Sequence, residues 1–382
     1  MKKIFYIYFF IFYLFLIVYA NYMDIGDLEI SYLSLNYPIT LIENSFLYFF
    51  GNSNLSLRMP SIILSVFSIF LYYQISKKYL KKEFDIYLSV ILFSIMPGFI
   101  IATLLFNKSI YLIFITLMFL YSFLYYRFYS YIFLLLFTIA DYSFISLYLG
   151  LIFYSIYKKD TKFLIYSIFL LMINANYFQY DIHGKPNGYF MDIILVYFSI
   201  FSPFIFIYFI YALFKTFKKP TLLWFISTWG LFFSILLSFR QRIKIDDFAP
   251  FIIISVVFMI SVFMHEYRIR LNVFRPFYRK IAYLLLFSII LFDILILSSK
   301  YFLEKSIVTQ FNYTYDIYTN LKRYNINNIS CKDKLLCKKL YFYGLKKGNK
   351  HILAFDMKTK KVSISHNHKK FLNFYVSKLN KK

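Results

Sequence analysis

The chain has 382 residues, of which 60% are hydrophobic and 16% are charged, with 51 Phe and 40 Tyr. Soluble proteins are typically about 45–50% apolar and about 25% charged, so a soluble domain of this length could not bury so much apolar surface. The apolar residues also form long blocks, such as residues 4–20 and 281–298. This composition excludes a water-soluble enzyme, a disordered chain and a small disulfide scaffold, and it predicts a membrane protein with many spans.

The net charge of +25 would suggest a nucleic-acid partner, but the distribution of the charge argues against one. Residues 300–382 contain 19 basic and 4 acidic residues, and much of the remaining excess lies in short connections between apolar blocks. Basic residues in such connections set the orientation of membrane spans. We therefore expect membrane lipid around the chain and no nucleic acid.

Apolar blocks of about 17–25 residues predict an all-α polytopic membrane protein with about eleven transmembrane helices. Their approximate limits are 4–20, 59–76, 86–106, 109–126, 128–140, 143–157, 163–178, 189–214, 221–239, 248–264 and 281–299. The fifth and sixth spans are short and flank Asp141. A re-entrant hairpin is the alternative there, and it leaves every other orientation unchanged.

The Lys and Arg residues of the short connections predict the orientation. Every second connection, counted from the N-terminus, contains 18 of these residues in total, and the opposite connections contain six. This bias predicts a multi-pass protein of the cell (inner) membrane with a cytoplasmic N-terminus, and an odd number of spans then places the C-terminal region outside the cytoplasm. A cleavable signal peptide over residues 2–20 is the rival interpretation of the first span.

Two parts of the chain are predicted to differ in architecture. Residues 1–299 form the transmembrane part, with a long first external loop at residues 21–57, and residues 300–382 form a small extracytoplasmic α/β domain. Strands are expected at residues 340–342, 351–355 and 361–365. Cys331 and Cys337 lie in this region and could close a small disulfide loop in an oxidising compartment.

The first external loop is acidic. It contains Asp24, Asp27, Glu29 and Glu43, with almost no compensating basic residue. One interpretation is a solvated acidic loop. The other is a general base or cation site that faces a water-filled cavity. Composition alone does not separate the two.

The order of motifs over residues 20–100 favours the second interpretation. Tyr37-Pro38, Phe50-Gly51-Asn52-Ser53 and Arg58-Met59-Pro60-Ser61 precede a span that ends in Lys77-Lys78, and Ile95-Met96-Pro97 follows. This pattern resembles the GT-C membrane glycosyltransferases that use polyprenyl-phosphate sugars, in particular the aminoarabinose transferase and protein O-mannosyltransferase group. In that family the loop contains an acidic pair followed by an aromatic residue.

The resemblance implies catalytic roles for three acids of the loop. Asp27 corresponds best to the loop carboxylate, and Glu29 corresponds to the second acid, although Leu28 separates two residues that are adjacent in the family. Asp24 is the remaining candidate. A phosphate-linked donor leaves as a stable anion, so the enzyme needs a base for the acceptor and cations for the phosphate. The resemblance implies a single displacement with inversion.

The candidate cations for the donor phosphate are Arg240, Arg242, Lys244, Arg58 and Lys108. Basic residues on an external connection oppose the topological trend, and a guanidinium can bind phosphate through two parallel hydrogen bonds. The alternative for the loop at 240–244 is ion pairing with Asp246 and Asp247. Arg58 could equally extend to the membrane interface. The chain has Asn107 where the family commonly has an acid, and Asp141 near a position where it often has a Lys.

The sequence thus predicts an inverting membrane glycosyltransferase that moves a sugar from a polyprenyl-phosphate donor to a lipid, glycan or protein acceptor at the extracytoplasmic face. No cofactor and no metal ligands are indicated, and a divalent cation is left open. The alternatives are a secondary transporter or flippase of lipid-linked sugars, and a non-catalytic membrane subunit.

Overall fold

A computed structural model provides the structure of the protein. It describes residues 2–34, 38–178, 189–240, 244–302, 314–324, 326–331, 333–354, 361–366 and 369–378. Most of these residues are helical. The helices are α1 Lys2–Tyr22, α2 Asp27–Leu33, α3 Pro38–Phe50, α4 Asn54–Tyr79, α5 Glu83–Ser94, α6 Pro97–Leu104, α7 Ser109–Tyr125, α8 Arg127–Phe137, α9 Phe144–Lys158, α10 Thr161–Phe178, α11 Phe190–Phe201, α12 Pro203–Thr216, α13 Leu222–Ser238, α14 Ile245–Ile253, α15 Val256–Ile269, α16 Arg275–Phe302, α17 Thr314–Arg323 and α18 Lys334–Phe342. The strands are β1 Asn328–Cys331, β2 Lys346–Ala354, β3 Lys361–His366 and β4 Lys369–Lys378.

Several of these helices are long and apolar enough to cross a bilayer. Within the described residues there are five such segments, namely α1, α4, α10, the stretch Asp246–Ile269 and α16, or up to seven if two bent helix pairs each form one span. The chain is therefore a predominantly α-helical membrane protein, as its composition predicts. The number of eleven stays a prediction, because α7, α8, α9 and α13 are apolar but have only 11–17 residues.

The two bent pairs coincide with proline residues. Helices α5 and α6 meet at Pro97 with a bend of 55°, and α11 and α12 meet at Pro203 with a bend of 100°. Proline lacks a backbone N–H and disfavours helical backbone in the residue before it. Ser202 has a φ of 70°, which is outside the helical region, and Pro203 then begins the next helix. The predicted spans 86–106 and 189–214 thus each consist of two helices.

The chain divides into two compact units. The first contains residues 1–60, 104–106 and 298–382, and the second contains residues 61–103 and 107–297. Each unit combines segments that are distant in sequence. The predicted division into residues 1–299 and 300–382 follows the chain and not these contacts, and it stays a prediction.

In the second unit, helices pack closely through small residues. Helix α9 lies against α10 and α13, and α14 lies against α7 and α13. A Cβ atom built on Gly150 of α9 would approach the Ile226 Cα and the Phe225 carbonyl oxygen of α13 to 3.1 Å. Glycine at this position permits the two backbones to approach, which is how membrane helices commonly gain packing contacts.

In the first unit, the C-terminal elements include a four-stranded sheet in the order β1-β2-β4-β3. Strands β1 and β2 are parallel, and the other two pairings are antiparallel. A disulfide joins Cys331 at the end of β1 to Cys337 in α18, which confirms the predicted pairing. Residues 351–354 and 361–365 lie in strands as expected, and Phe355 is outside the described residues.

The strand predicted at residues 340–342 is wrong, because these residues form the end of α18. Asp333 precedes this helix, and its side chain accepts a hydrogen bond from the Leu335 N–H. Such a cap favours a helix start. Leu336 and Leu340, one turn apart, then join a buried cluster with Ile317 of α17 and Ile329 of β1.

Candidate functional site

Helix α2 begins in the first loop, and its first turn contains Asp27 and Glu29. Acidic side chains are favourable there because the N-terminus of a helix has a partial positive charge. The Glu29 carboxylate also turns back to accept a hydrogen bond from the Gly26 N–H, with 2.7 Å between N and Oε2. Gly26 has no side chain, so only one of the two bonds of a capping box can form.

A fully buried Arg58 holds this loop in place. Its Nε donates to Glu29 Oε1 at 3.0 Å, and its Nη2 donates to Glu29 Oε2 at 2.8 Å. The remaining N–H groups donate to the backbone carbonyls of Ala20, Met23 and Asp24. A guanidinium has five N–H donors, so all five are used inside the protein.

The Glu29 carboxylate is equally occupied. Besides Arg58 and Gly26 it accepts a hydrogen bond from the Phe106 N–H, with 2.9 Å between N and Oε1. Both side chains of the ion pair are almost without solvent exposure. The geometry therefore assigns Glu29 and Arg58 to fixing the loop. It does not support a catalytic role for Glu29 or a phosphate-binding role for Arg58, because neither group has a free donor or an exposed oxygen.

Asp27 has a different environment. Its side chain is 37% exposed, whereas its Oδ1 atom is buried 2.6 Å from the Nζ of Lys339 in α18. The two groups form an ion pair. Lys339 itself is fully buried. Asp27 thus has one oxygen held by a positive charge and part of its side chain accessible.

The loop makes further contacts with the C-terminal elements of the same unit. The carboxylate of Asp24 accepts a hydrogen bond from the Tyr315 N–H at the start of α17. The Tyr343 hydroxyl accepts from the Ile25 N–H at 3.2 Å and donates to the Asn54 side chain. Burial raises the pKa of this hydroxyl, and the charge of Asp24 raises it further, so Tyr343 stays protonated and can make both bonds.

The second unit contains a separate buried charge cluster around Lys108. Its Nζ lies 3.0 Å from Asp141 Oδ1, 2.6 Å from Asp247 Oδ1 and 3.1 Å from the Ser143 hydroxyl. The ring of Tyr142 lies against the ammonium, with 3.9 Å from Nζ to the ring centroid. Burial alone would lower the pKa of Lys108, but the charges of Asp247 and Asp141 outweigh burial and raise it. The lysine therefore stays charged at physiological pH.

This cluster joins the starts of three helices, because Lys108 precedes α7, Asp141 precedes α9, and Asp247 lies in the first turn of α14. The Lys108 ammonium is occupied by two carboxylates, so the geometry does not support its predicted phosphate-binding role. The two acids that follow the basic loop both contact this part of the second unit. Asp247 pairs with Lys108, and Asp246 accepts a hydrogen bond from the Ser109 hydroxyl at 3.2 Å.

The basic loop after α13 is only partly described. Arg240 and Lys244 are exposed at its two ends, and Lys244 precedes α14. Arg242 is outside the described residues. Among the predicted phosphate-binding residues, exposed positive charge in the described structure thus remains at Arg240 and Lys244.

Sequence reasoning missed Lys339 as a partner of the first loop. It is one of 19 basic residues in residues 300–382, and nothing in its local sequence distinguishes it. The pairing of Lys108 with Asp141 and Asp247 was also missed, although all three residues were noted individually. The sequence could have indicated this cluster, because each of the three residues lies in a connection that is predicted to be external.

The arrangement offers a partly exposed carboxylate on a loop that a buried ion pair connects to α4. Among the residues that the structure describes, no group of three or more His, Cys, Asp or Glu side chains could hold a metal ion. A carboxylate in this setting can accept a proton or pair with a cation.

No protein-family model, no curated protein and no solved structure matches the chain. The resemblance over residues 20–100 therefore stays a prediction, and the function must be argued from the geometry of the residues themselves.

Proposed function

We propose that the chain is an inverting glycosyltransferase of the membrane that moves a sugar from a polyprenyl-phosphate donor to an alcohol acceptor, with Asp27 as the general base. The observation on which this depends is the contrast within α2. Glu29 is buried and fully bonded, whereas Asp27, two residues earlier, keeps an accessible carboxylate. The bonded pair makes the loop rigid, which is what a positioned base requires.

The disulfide supports an extracytoplasmic site. Disulfides persist in oxidising compartments and are rare in the cytosol. Cys337 of the Cys331–Cys337 disulfide lies in α18. Lys339 of the same helix pairs with Asp27. An extracytoplasmic disulfide therefore supports an extracytoplasmic first loop, in agreement with the bias of the basic residues.

The chemistry needs few groups. The donor phosphate leaves without protonation, so the base has only to remove the proton of the acceptor hydroxyl. The departing phosphate also needs cations, for which the sequence offers the basic loop at residues 240–244. A transporter or flippase is not favoured by a specific observation, because the accessible carboxylate lies in a loop helix of seven residues and not in a membrane span.

The test is lipid-linked sugar profiling in cells that lack the protein and in cells that produce variants. We expect the donor to accumulate without the protein and with Asp27→Asn. Glu83→Gln, which alters an exposed acid of the second unit, is the matched control and should restore the wild-type profile. A wild-type lipid profile in cells with Asp27→Asn, at equal protein level, contradicts the proposal.

A further inference from the structure

Lys339 is the most unusual basic residue of the C-terminal region. Its side chain has no exposed surface, although lysine is almost never fully buried unless it is paired. The neighbouring Lys338 of the same helix is exposed, so the burial is particular to Lys339. The ammonium lies 2.6 Å from Oδ1 of Asp27.

The position of Lys339 is also fixed by other contacts of α18. Leu336 and Leu340 pack into the cluster formed with α17 and β1, and Cys337 is bonded to Cys331. Lys339 and Tyr343 lie four residues apart, hence on the same side of the helix, and both contact the first loop. The helix is therefore held in place independently of the ion pair and presents the ammonium to the loop.

The consequence concerns the orientation of the carboxylate. Oδ1 is buried against Lys339, so the 37% exposure of the Asp27 side chain lies elsewhere in the group. We propose that Lys339 is a positioning residue that holds Oδ1 and thereby directs Oδ2 of Asp27 to the acceptor, an inference that rests on the proposed function above.

The step balances as a single displacement. The acceptor oxygen forms a bond to the anomeric carbon while the bond from this carbon to the phosphate oxygen breaks, and the polyprenyl phosphate leaves with the electron pair. The acceptor proton passes to Oδ2. A carboxylate that rotates freely directs its lone pairs away from the acceptor proton for part of the time. Misplacement of about 1 Å can reduce a rate by about 100-fold.

The experiment measures transfer in membranes that contain each variant, with the lipid-linked sugar fraction extracted from cells that lack the protein as the donor. The rate is expressed per folded protein, quantified by size-exclusion chromatography. Lys339→Met should lower kcat by about 10- to 100-fold and leave the KM for the donor within about twofold of wild type. Lys339→Arg retains the charge and should recover most of kcat. Lys338→Met, on the exposed side of α18, should behave as wild type.

Lys339→Gln is the second neutral variant. It removes the charge but stays polar, so it provides the test of the charge if Lys339→Met does not fold. Wild-type kcat in either folded neutral variant overturns the proposal, and so does a loss confined to KM, which would assign Lys339 to substrate binding. Asp27→Asn separates this outcome from failure of the proposed function. If Asp27→Asn is inactive and the Lys339 variants are normal, only the positioning role is wrong. If Asp27→Asn transfers sugar normally, the base assignment is wrong as well.

Discussion

Replacement of Arg58 by Met is the sharpest test of the first loop. The guanidinium makes five hydrogen bonds, two to Glu29 and three to backbone carbonyls. Its loss leaves a carboxylate buried without a counter-charge and three carbonyl groups without these donors. Removing one partner of a buried ion pair typically costs about 3–5 kcal/mol. We expect a loss of this size, which is a large fraction of the stability of an ordinary protein.

Arg58→Lys separates geometry from charge. An ammonium has three donors in place of five and cannot form the parallel pair of bonds to Glu29. We therefore expect Arg58→Lys to be destabilised as well, although less than Arg58→Met. The control is Arg127→Met, because the Arg127 side chain is 58% exposed in its ion pair with Asp160. Exposed pairs contribute about 1 kcal/mol or less, so this variant should resemble wild type.

The measurement is thermal unfolding in detergent, followed by the loss of the monodisperse peak in size-exclusion chromatography. The expected order of transition temperatures is wild type and Arg127→Met, then Arg58→Lys, then Arg58→Met. One result would refute the reasoning. If Arg58→Lys unfolds at the wild-type temperature and only the KM for the donor rises, Arg58 binds the donor phosphate and does not fix the loop.

Two further predictions concern stability, and a third concerns topology. Lys108→Met leaves two buried carboxylates without their shared cation, so we expect a loss of about 3–5 kcal/mol in the same unfolding assay, and a wild-type transition would contradict the buried cluster. Removal of the disulfide by the Cys331→Ser and Cys337→Ser changes should cost about 2 kcal/mol for a loop with a separation of 6 residues, and addition of a reductant to the wild type should reproduce the shift. In that cysteine-free background, Ser53→Cys should react with a membrane-impermeant maleimide on intact cells and Lys218→Cys only after permeabilisation. The reverse labelling pattern would invert the predicted topology.

The helices could be predicted from sequence because hydropathy in a membrane protein is a local property. Each predicted apolar block contains a helix or a pair of helices, since backbone groups in lipid must be bonded within their own segment. The bend at Pro203 was not predicted, although Ser202-Pro203 is a local signal for it. The short apolar run at residues 340–342 was misassigned because three residues do not define a period, and the cap at Asp333 was the better signal.

The candidate site was less predictable because its contacts link distant parts of the chain. Glu29 and Arg58 were both recognised as functional candidates, but their pairing across 29 residues changes what they do. Lys339 lies 312 positions after Asp27, and no local pattern indicates this contact. Sequence reasoning therefore found the acids and the loop, while the distinction between a structural acid and an accessible acid required the tertiary structure.

The charge balance of the chain makes its acidic residues the better guide to a functional site. With 43 basic and 18 acidic residues, acids are scarce and bases abundant. In the part of the chain that the structure describes, the buried basic residues are Arg58, Lys108 and Lys339, and each is paired with an acid.

Of the acids in these pairs, Glu29, Asp141 and Asp247 are themselves buried, as expected for charges that serve the fold. Asp27 differs, because more than a third of its side chain remains accessible while its partner is fully buried. The ion pair of Arg268 with Asp85 is similarly asymmetric, but there the exposed partner is the base and the acid is buried. A carboxylate that meets a substrate while one of its oxygens stays fixed would have this arrangement, which is why Asp27 is the residue that we propose as the base.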